Sequence, residues 1–271
     1  MRVGSVLDYY MKNFLYIMIF VLAPAIFIGI FLRPFSMIEM LCDYPSLELN
    51  TFGDLFCTVY SWGLLEVLAM VAGLILVLIF VSLLIGKVEG HFRTGKFDLN
   101  SHEWRGLNYN LASVTKTIVA LGVACFVLNL LALLLMYLMH FLFTINTGAM
   151  VVSNILCWII GLFNLLVQAR LVILFLLAGL DSIVMGSPYT VALSNASHAL
   201  AKDVKDTWVC TLLPFAIMLV LTVIGNLLGI TILTNILSIL VMMPWLIIYS
   251  MIRFFDHYNI PRYDNRKYYV R

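Results

Sequence analysis

The chain has 271 residues, 63% of them hydrophobic and 11% charged, with a mean hydropathy of +1.04 and a formal net charge of +2. A soluble domain carries about a quarter charged residues, so a soluble globular reading is excluded. The length must instead be divided by bilayer thickness, at about 20 residues per spanning helix.

The first residues are amphipathic. Val3, Val6, Leu7, Tyr10, Met11 and Phe14 recur at helical spacing opposite Arg2, Ser5, Asp8 and Lys12. They lead into a charge-free run from Asn13 to Leu32, interrupted by Pro24. No small-x-small cleavage site follows it, so the run reads as a spanning helix and not as a cleaved signal. A long loop holding Cys42 and Cys57 then precedes a second run, Val67 to Gly86. After the polar segment "KVEGHFRTGKFDLNSHEWRG", a stripe of Trp104, Leu107, Leu111, Val114 and Ile118 opposes Arg105, Asn108, Ser113 and Lys116, and a third run extends from Thr117 to Met139. The fourth run, Ile145 to Ala169, ends at Arg170.

A third amphipathic stretch follows. Ala192, Leu193, Ala196, Ala199, Leu200 and Val204 share one face, and Ser194, Asn195, His198, Lys202 and Lys205 the other. From Thr207 to Ile252 there is no Asp, Glu, Lys or Arg. As one helix that stretch would be about 69 Å long at 1.5 Å per residue, more than twice the hydrocarbon thickness, so it must fold back. The segment "GNLLGITILTN" (Gly225 to Asn235) supplies the Gly and Asn for the turn. Six spans result.

With six spans, both termini and the loops after the second and fourth spans share one side. Fifteen of the 16 Lys and Arg residues fall there, and Arg33 alone lies opposite, among Glu39, Asp43, Glu48, Asp54 and Glu66. The positive-inside rule makes that side cytoplasmic. Each amphipathic segment ends in a lysine at the membrane edge, Lys12, Lys116 and Lys205, with a leucine five residues earlier, Leu7, Leu111 and Leu200. The expected fold is therefore all-α: a polytopic integral membrane protein of six transmembrane helices, arranged as three parallel helical-hairpin units with cytoplasmic interfacial helices. The whole chain, 1–271, forms one transmembrane domain with units at 1–90, 91–182 and 183–252 and a cytoplasmic tail at 253–271.

Residues with chemistry are few. Cys42 and Cys57 share the outward loop and either pair, closing a loop worth about 3 kcal/mol, or remain free thiols. Cys125, Cys157 and Cys210 fall inside spans as small core residues. Glu66 and Arg170 stand at opposite membrane edges, where snorkelling accounts for them. Asn154, Asn164 and Gln168 either hydrogen-bond between helices or line a polar path. Pro24, Pro214 and Pro244 interrupt spans. The sequence contains no GxSxG, HExxH, Walker loop or CxxC, and the spacing of His91, His102 and Glu103 matches no standard metal pattern. The tail "RFFDHYNIPRYDNRKYYVR" reads as an aromatic and basic interfacial anchor. No cofactor, metal or nucleic acid is expected.

One resemblance emerges. In "QARLVILFLLAGLDSIVMGSPYTVALSNASHALAKDVKDTW", an arginine leaves the fourth span, followed by a short apolar segment and an amphipathic helix with an "A-L" start at Ala192 and Leu193. This layout resembles a bacterial family of six-span proteins that includes the membrane domain attached to some glycerophosphodiester phosphodiesterases. The serine of that family's "A-L-x-x-S" core is replaced here by Ser194 and Ser197, which flank its position. The resemblance implies a protein of the cytoplasmic membrane acting on or near lipids, without phosphodiesterase chemistry, which belongs to a separate soluble domain. The functional expectation is a non-enzymatic protein that organises or moves lipids or small amphiphiles. Lys12, Lys116, Arg170, Lys202 and Lys205 would meet headgroups, and membrane lipids, a protein partner or further copies of the chain would be its partners. The alternative is a transmembrane subunit of a channel or transporter, with its path along Asn154, Asn164 and Gln168.

Overall fold

The computed structural model describes residues 2–32, 35–44, 51–60, 63–96, 104–145, 149–202 and 204–263. Of the residues read above, Arg33, Glu48, His102, Glu103, Arg266, Lys267 and Arg271 lie outside the described residues, as do the side chains of Arg2, Glu66, Trp104, Arg105, Leu107 and Asn108. The described residues are helical throughout, without strands. The elements are α1 (Arg2–Lys12), α2 (Phe14–Phe27, continued by a π-helical turn Ile28–Leu32), α3 (Ser36–Asp43), α4 (Phe52–Val59), α5 (Leu64–Thr94), α6 (Trp104–Met139, continued by a π-helical turn His140–Ile145), α7 (Met150–Val184), α8 (Tyr189–Lys202), α9 (Val204–Leu228) and α10 (Thr231–His257). Six helices are long and apolar enough to cross a membrane: Phe14–Phe31, Val67–Thr94, Asn110–Thr144, Met150–Val184, Val204–Leu228 and Thr231–His257. The chain has the build of a multi-pass membrane protein.

The fold-back expected near Gly225 lies between α9 and α10. Gly229 takes a left-handed φ of +70°, which only glycine adopts without strain, and Ile230 N–H returns to Gly225 O at 2.9 Å. Gly225 also allows the two helices to meet, because a Cβ there would collide with the Thr234 side chain.

Inside these apolar helices, proline creates a specific problem. It has no N–H, so the carbonyl four residues earlier loses its partner, and no water is present in hydrocarbon to replace it. Pro214 frees the carbonyl of Cys210, and Trp245 Nε1–H of α10 donates to it at 2.9 Å. Pro244 frees the carbonyl of Leu240, and Tyr10 Oη–H of α1 donates to it at 3.2 Å. Both gaps are thus closed by aromatic donors from another helix, which ties α9 to α10 and α10 to α1.

The main core runs through α1, α2, α5 and α7 to α10. A second cluster, built on Met37, Leu41, Tyr44, Leu55 and Met136, joins α3, α4, α6 and the start of α7. Both described chain ends lie at one end of the bundle. Tyr9 Oη meets His91 Nδ1 at 2.9 Å, and Tyr263 N–H donates to Phe92 O at 2.7 Å.

Several sequence expectations change. The outward loop contains α3 and α4, and Thr51 and Asp54 start α4 with a reciprocal capping box. Segment 104–116 is not a separate helix, since nothing between Lys116 and Thr117 stops α6. The N-terminal stripe is divided: Val6 and Tyr10 are buried, together with Tyr9 from outside the stripe, whereas Leu7, Met11 and Phe14 face outward. Residue 253 does not begin a tail, because α10 continues to His257 and buries Arg253, Phe254 and Phe255. Apolar side chains on every face of this last stretch draw it into the core.

Two stability measurements follow. Trp245→Phe should destabilise the detergent-solubilised protein by about 1–3 kcal/mol, the penalty of an unpaired buried acceptor. That loss should shrink in a Pro214→Ala background, which restores an N–H for Cys210 O, and thermal unfolding of the four-protein cycle reads the coupling. Gly225→Ala should lower stability by about 1–3 kcal/mol through overpacking against Thr234, by the same assay.

Candidate functional site

Polar groups inside the bundle gather in three places. Between α6 and α7, Asn129 Oδ1 accepts from Asn164 Nδ2 at 2.8 Å and from Gln168 Nε2 at 2.5 Å, while Met37 Sδ lies 3.4 Å from the Asn164 amide. Asn164 and Gln168 are four residues apart on α7 and so share a face. Asn154 does not join them. It stands ten residues earlier, about 80° round the helix, and its Oδ1 is buried without a hydrogen-bond partner among the described residues. The expected path through all three residues is therefore divided, with two of them bonded to Asn129.

At the far end from the termini, Tyr44 after α3 is fully buried. Its hydroxyl lies 2.6 Å from His140 Nδ1 and 2.7 Å from Ser153 Oγ. The π-helical turn that carries His140 and the end of α3 bring these side chains together, and sequence spacing gave no sign of it. Nearby, Asn226 Nδ2 donates to Asp43 Oδ1 at 3.0 Å and Asn235 Nδ2 to Glu39 Oε1 at 2.8 Å, fastening α3 to the α9–α10 turn. Cys42 on α3 is half-buried and Cys57 on α4 exposed, and both are free thiols. They belong to different helices, and the structure does not join the pair.

The third cluster, at the termini end, holds the carboxylate with the least solvent contact among the described residues. Asp181 is 2% exposed near the end of α7. Its Oδ2 accepts from Asn195 Nδ2 of α8 at 2.9 Å and its Oδ1 from Tyr258 Oη–H after α10 at 2.8 Å. A cavity of about 10 Å³ beside it is lined by Leu177, Ala196, Ala199, Phe254 and His257, room for about one water. One turn away, Arg253 is 3% exposed and its Nη2 donates to Ala199 O at 2.6 Å. Ala192, Ala196 and Ala199 keep that face of α8 narrow enough to pack closely on α7, so the stripe expected to lie in the membrane interface is buried in the bundle instead. Burial, followed by the hydrogen bond and charge of Asp181, pushes the Tyr258 hydroxyl up to about 12. Sequence reasoning placed Asp181 and Arg253 outside any site, because only the packing of α8 over α7 and α10 encloses them.

Four of the five basic residues expected at headgroups lie on the surface. Lys12, Lys116, Lys202 and Lys205 are exposed, and Lys12 meets Asp8 at 2.6 Å one turn earlier. Arg170 differs. Expected at the end of a span, it sits in the middle of α7, which continues through the equally apolar 171–180 and stops near Gly186 at φ +69°. Against α6, Gly179 meets Thr117 and Gln168 meets Asn129, so Arg170 lies well inside the Lys116 level. Its guanidinium carbon is 5.7 Å from the Trp208 ring centroid on α9. Among the described residues, no group of three or more His, Cys, Asp or Glu side chains could hold a metal ion.

No family model, curated protein or solved structure matches the chain.

The Tyr258 shift predicts a pH dependence. A raised phenol pKa stabilises the fold fully below the unfolded value near 10, and that contribution is lost as pH rises from about 10 to about 12. Thermal unfolding followed across this range should decline for the wild type, and Tyr258→Phe should flatten the part of the decline due to this group.

Proposed function

We propose that the protein is a non-enzymatic, multi-pass component of the cytoplasmic membrane that binds and organises, or helps to move, phospholipids or similar amphiphiles. In this reading both termini are cytoplasmic, as the charge asymmetry of the sequence implies. The six spans form three parallel hairpin units, and Lys12, Lys116 and Lys205 stand at the cytoplasmic interface. The reading is in keeping with the resemblance in layout to the six-span proteins related to the membrane domain of glycerophosphodiester phosphodiesterases.

One observation carries the reading: exposed lysines stand directly on exposed apolar surface. Lys12 adjoins Leu7, Met11, Phe14 and Leu15, which are 49%, 63%, 41% and 77% exposed. Val119 is exposed beside Lys116 and Val204 beside Lys205. A cation at the rim of an apolar face suits a phosphate at the rim of the hydrocarbon, with the stem in lipid and the ammonium in the headgroups. The channel alternative receives less support, because Asn164 and Gln168 direct their donors to Asn129 and Asn154 faces elsewhere. Homo-oligomers and a protein partner remain compatible with lipid binding.

Native mass spectrometry of the protein released from membranes tests this reading. Selective retention of an anionic lipid class is the expected result, weakened when Lys12, Lys116 and Lys205 are all changed to Gln. A bare protein, or lipids retained in the proportions of the membrane, would count against it. A stoichiometric nucleotide-hydrolysing subunit would instead favour the transporter alternative.

A further inference from the structure

Arg170 occupies an unusual position on α7. Val152, Ile155, Ile159, Phe163 and Leu166 are all exposed, at steps of three and four residues that trace one stripe along the helix. Arg170 is the next residue of that stripe. A parallel pattern occurs on α9, where Leu213, Ile217, Val220 and Ile224 are exposed. Lys205, also exposed, lies eight residues before Leu213 and about 80° round the helix from it, and Asp206 falls in line with the stripe. Trp208 lies three residues from Lys205, on the same side of α9, and its indole meets the Arg170 guanidinium. The head of the lipid-facing α7 stripe therefore meets an indole of α9, with exposed Lys205 within a turn of that indole.

Snorkelling does not describe this arginine well. A snorkelling guanidinium reaches into headgroup water with all its nitrogens solvated. Here Nη1 is buried and has no hydrogen-bond partner among the described residues, while the side chain as a whole is only partly buried. The group is held against Trp208 with part of its donor fork unanswered. No ion pair to Arg170 occurs among the described residues. A charge on a lipid-facing stripe calls for a counter-charge, and in this position the surrounding lipid can provide one.

We propose that Arg170, Trp208 and Lys205 form a headgroup site for an anionic phospholipid of the phosphatidylglycerol type, resting on the lipid-binding reading above. The phosphodiester matches the planar guanidinium fork through two oxygens, as a point-charge ammonium would not. Trp208 holds the fork in plane by cation–π contact and suits the interfacial depth of a headgroup. Lys205 contributes the second cation. With two cations in the site, a lipid whose headgroup carries its own ammonium is disfavoured against one that does not. One leaflet of hydrocarbon is about 15 Å thick, half of the bilayer core, or about ten residues of helix. An acyl chain descending from Arg170 would thus reach Ile159 and lie along Leu166 and Phe163.

The test uses the full-length protein in nanodiscs of equal parts phosphatidylcholine and phosphatidylglycerol, released for native mass spectrometry. Wild type should retain phosphatidylglycerol above its share of the disc. Arg170→Gln should lower that retention about tenfold, the order expected for loss of a charge-assisted hydrogen bond, and Arg170→Lys should restore part of it. The Lys12→Gln, Lys116→Gln double variant, which removes rim cations outside the site, should lower it less than Arg170→Gln does. Phosphatidylglycerol brominated on its acyl chains should also quench wild-type tryptophan fluorescence more than brominated phosphatidylcholine does, and Trp208→Phe should remove the excess. This arm reads the site even where Arg170→Gln fails to fold. Equal retention by wild type and folded Arg170→Gln would overturn the site and leave the broader lipid reading intact. So would equal quenching by the two brominated lipids while mass spectrometry still shows enrichment. Loss of retention in the Lys12/Lys116 variant to the same extent as in Arg170→Gln would place the lipid on a diffuse basic rim and overturn the site. Absence of any enrichment in wild type would remove both proposals together.

Discussion

A backbone carbonyl inside the hydrocarbon has to find a donor in the protein, and much of this structure depends on how two such carbonyls find theirs. Pro214 and Pro244 each leave one unpaired in the middle of a spanning helix. Trp245 and Tyr10 reach across to close the gaps. An unsatisfied group in lipid costs several kcal/mol, far more than an exposed surface contact contributes. These two bonds therefore set the rotation of α10 against α9 and the place of α1 against α10. With α1 seated, Tyr9 meets His91 and Phe92, and the end of α5 is drawn to the chain ends.

The remaining polar groups follow the same logic on α7, the helix that contacts α3, α6, α8, α9 and α10. Along its length it presents Ser153, Asn164, Gln168 and Asp181 to partners on four other segments. Each partner comes from a distant part of the chain, so each bond fixes a register. Asp181 brings together the end of α7, α8 and the residue after α10, while Arg253 attaches α10 to the C-terminal end of α8. A buried charge is strongly destabilising when its partner is removed, which makes this end of the bundle intolerant of slippage.

Against that interior, Arg170 stands out because the protein leaves it incompletely answered. Asn129, Asn164 and Gln168 are bonded among themselves and Asp181 has two donors, yet Arg170 has an indole face and, like Asn154, a buried atom without a hydrogen-bond partner among the described residues. A polar group that a well-packed interior does not satisfy is a natural place for the surrounding solvent to contribute, and here the solvent is lipid. The lysine-rimmed apolar surface and the arginine-headed stripe are then two forms of one relation between protein cation and lipid phosphate.

Composition, run length and charge placement were sufficient for the number of spans and the α9–α10 turn, because bilayer thickness and the desolvation of charge act on residues regardless of their neighbours. The small-residue face of α8 was legible for a similar reason: helical spacing alone brings Ala192, Ala196 and Ala199 to one side. Periodicity failed where packing chooses among apolar faces, as with Tyr9 in place of Leu7 on α1, and where a helix continues past a charge, as at Arg170. It also gave no warning that Asp181, Asn195 and Tyr258, or Tyr44, His140 and Ser153, would meet, or that Asn154 would stand apart from Asn164 and Gln168. Those groupings depend on rotation and register between helices far apart in sequence. Nearly every face of these helices is apolar, so hydrophobicity does not choose among the rotations. The choice falls to a few directional bonds that exist only once the helices are packed.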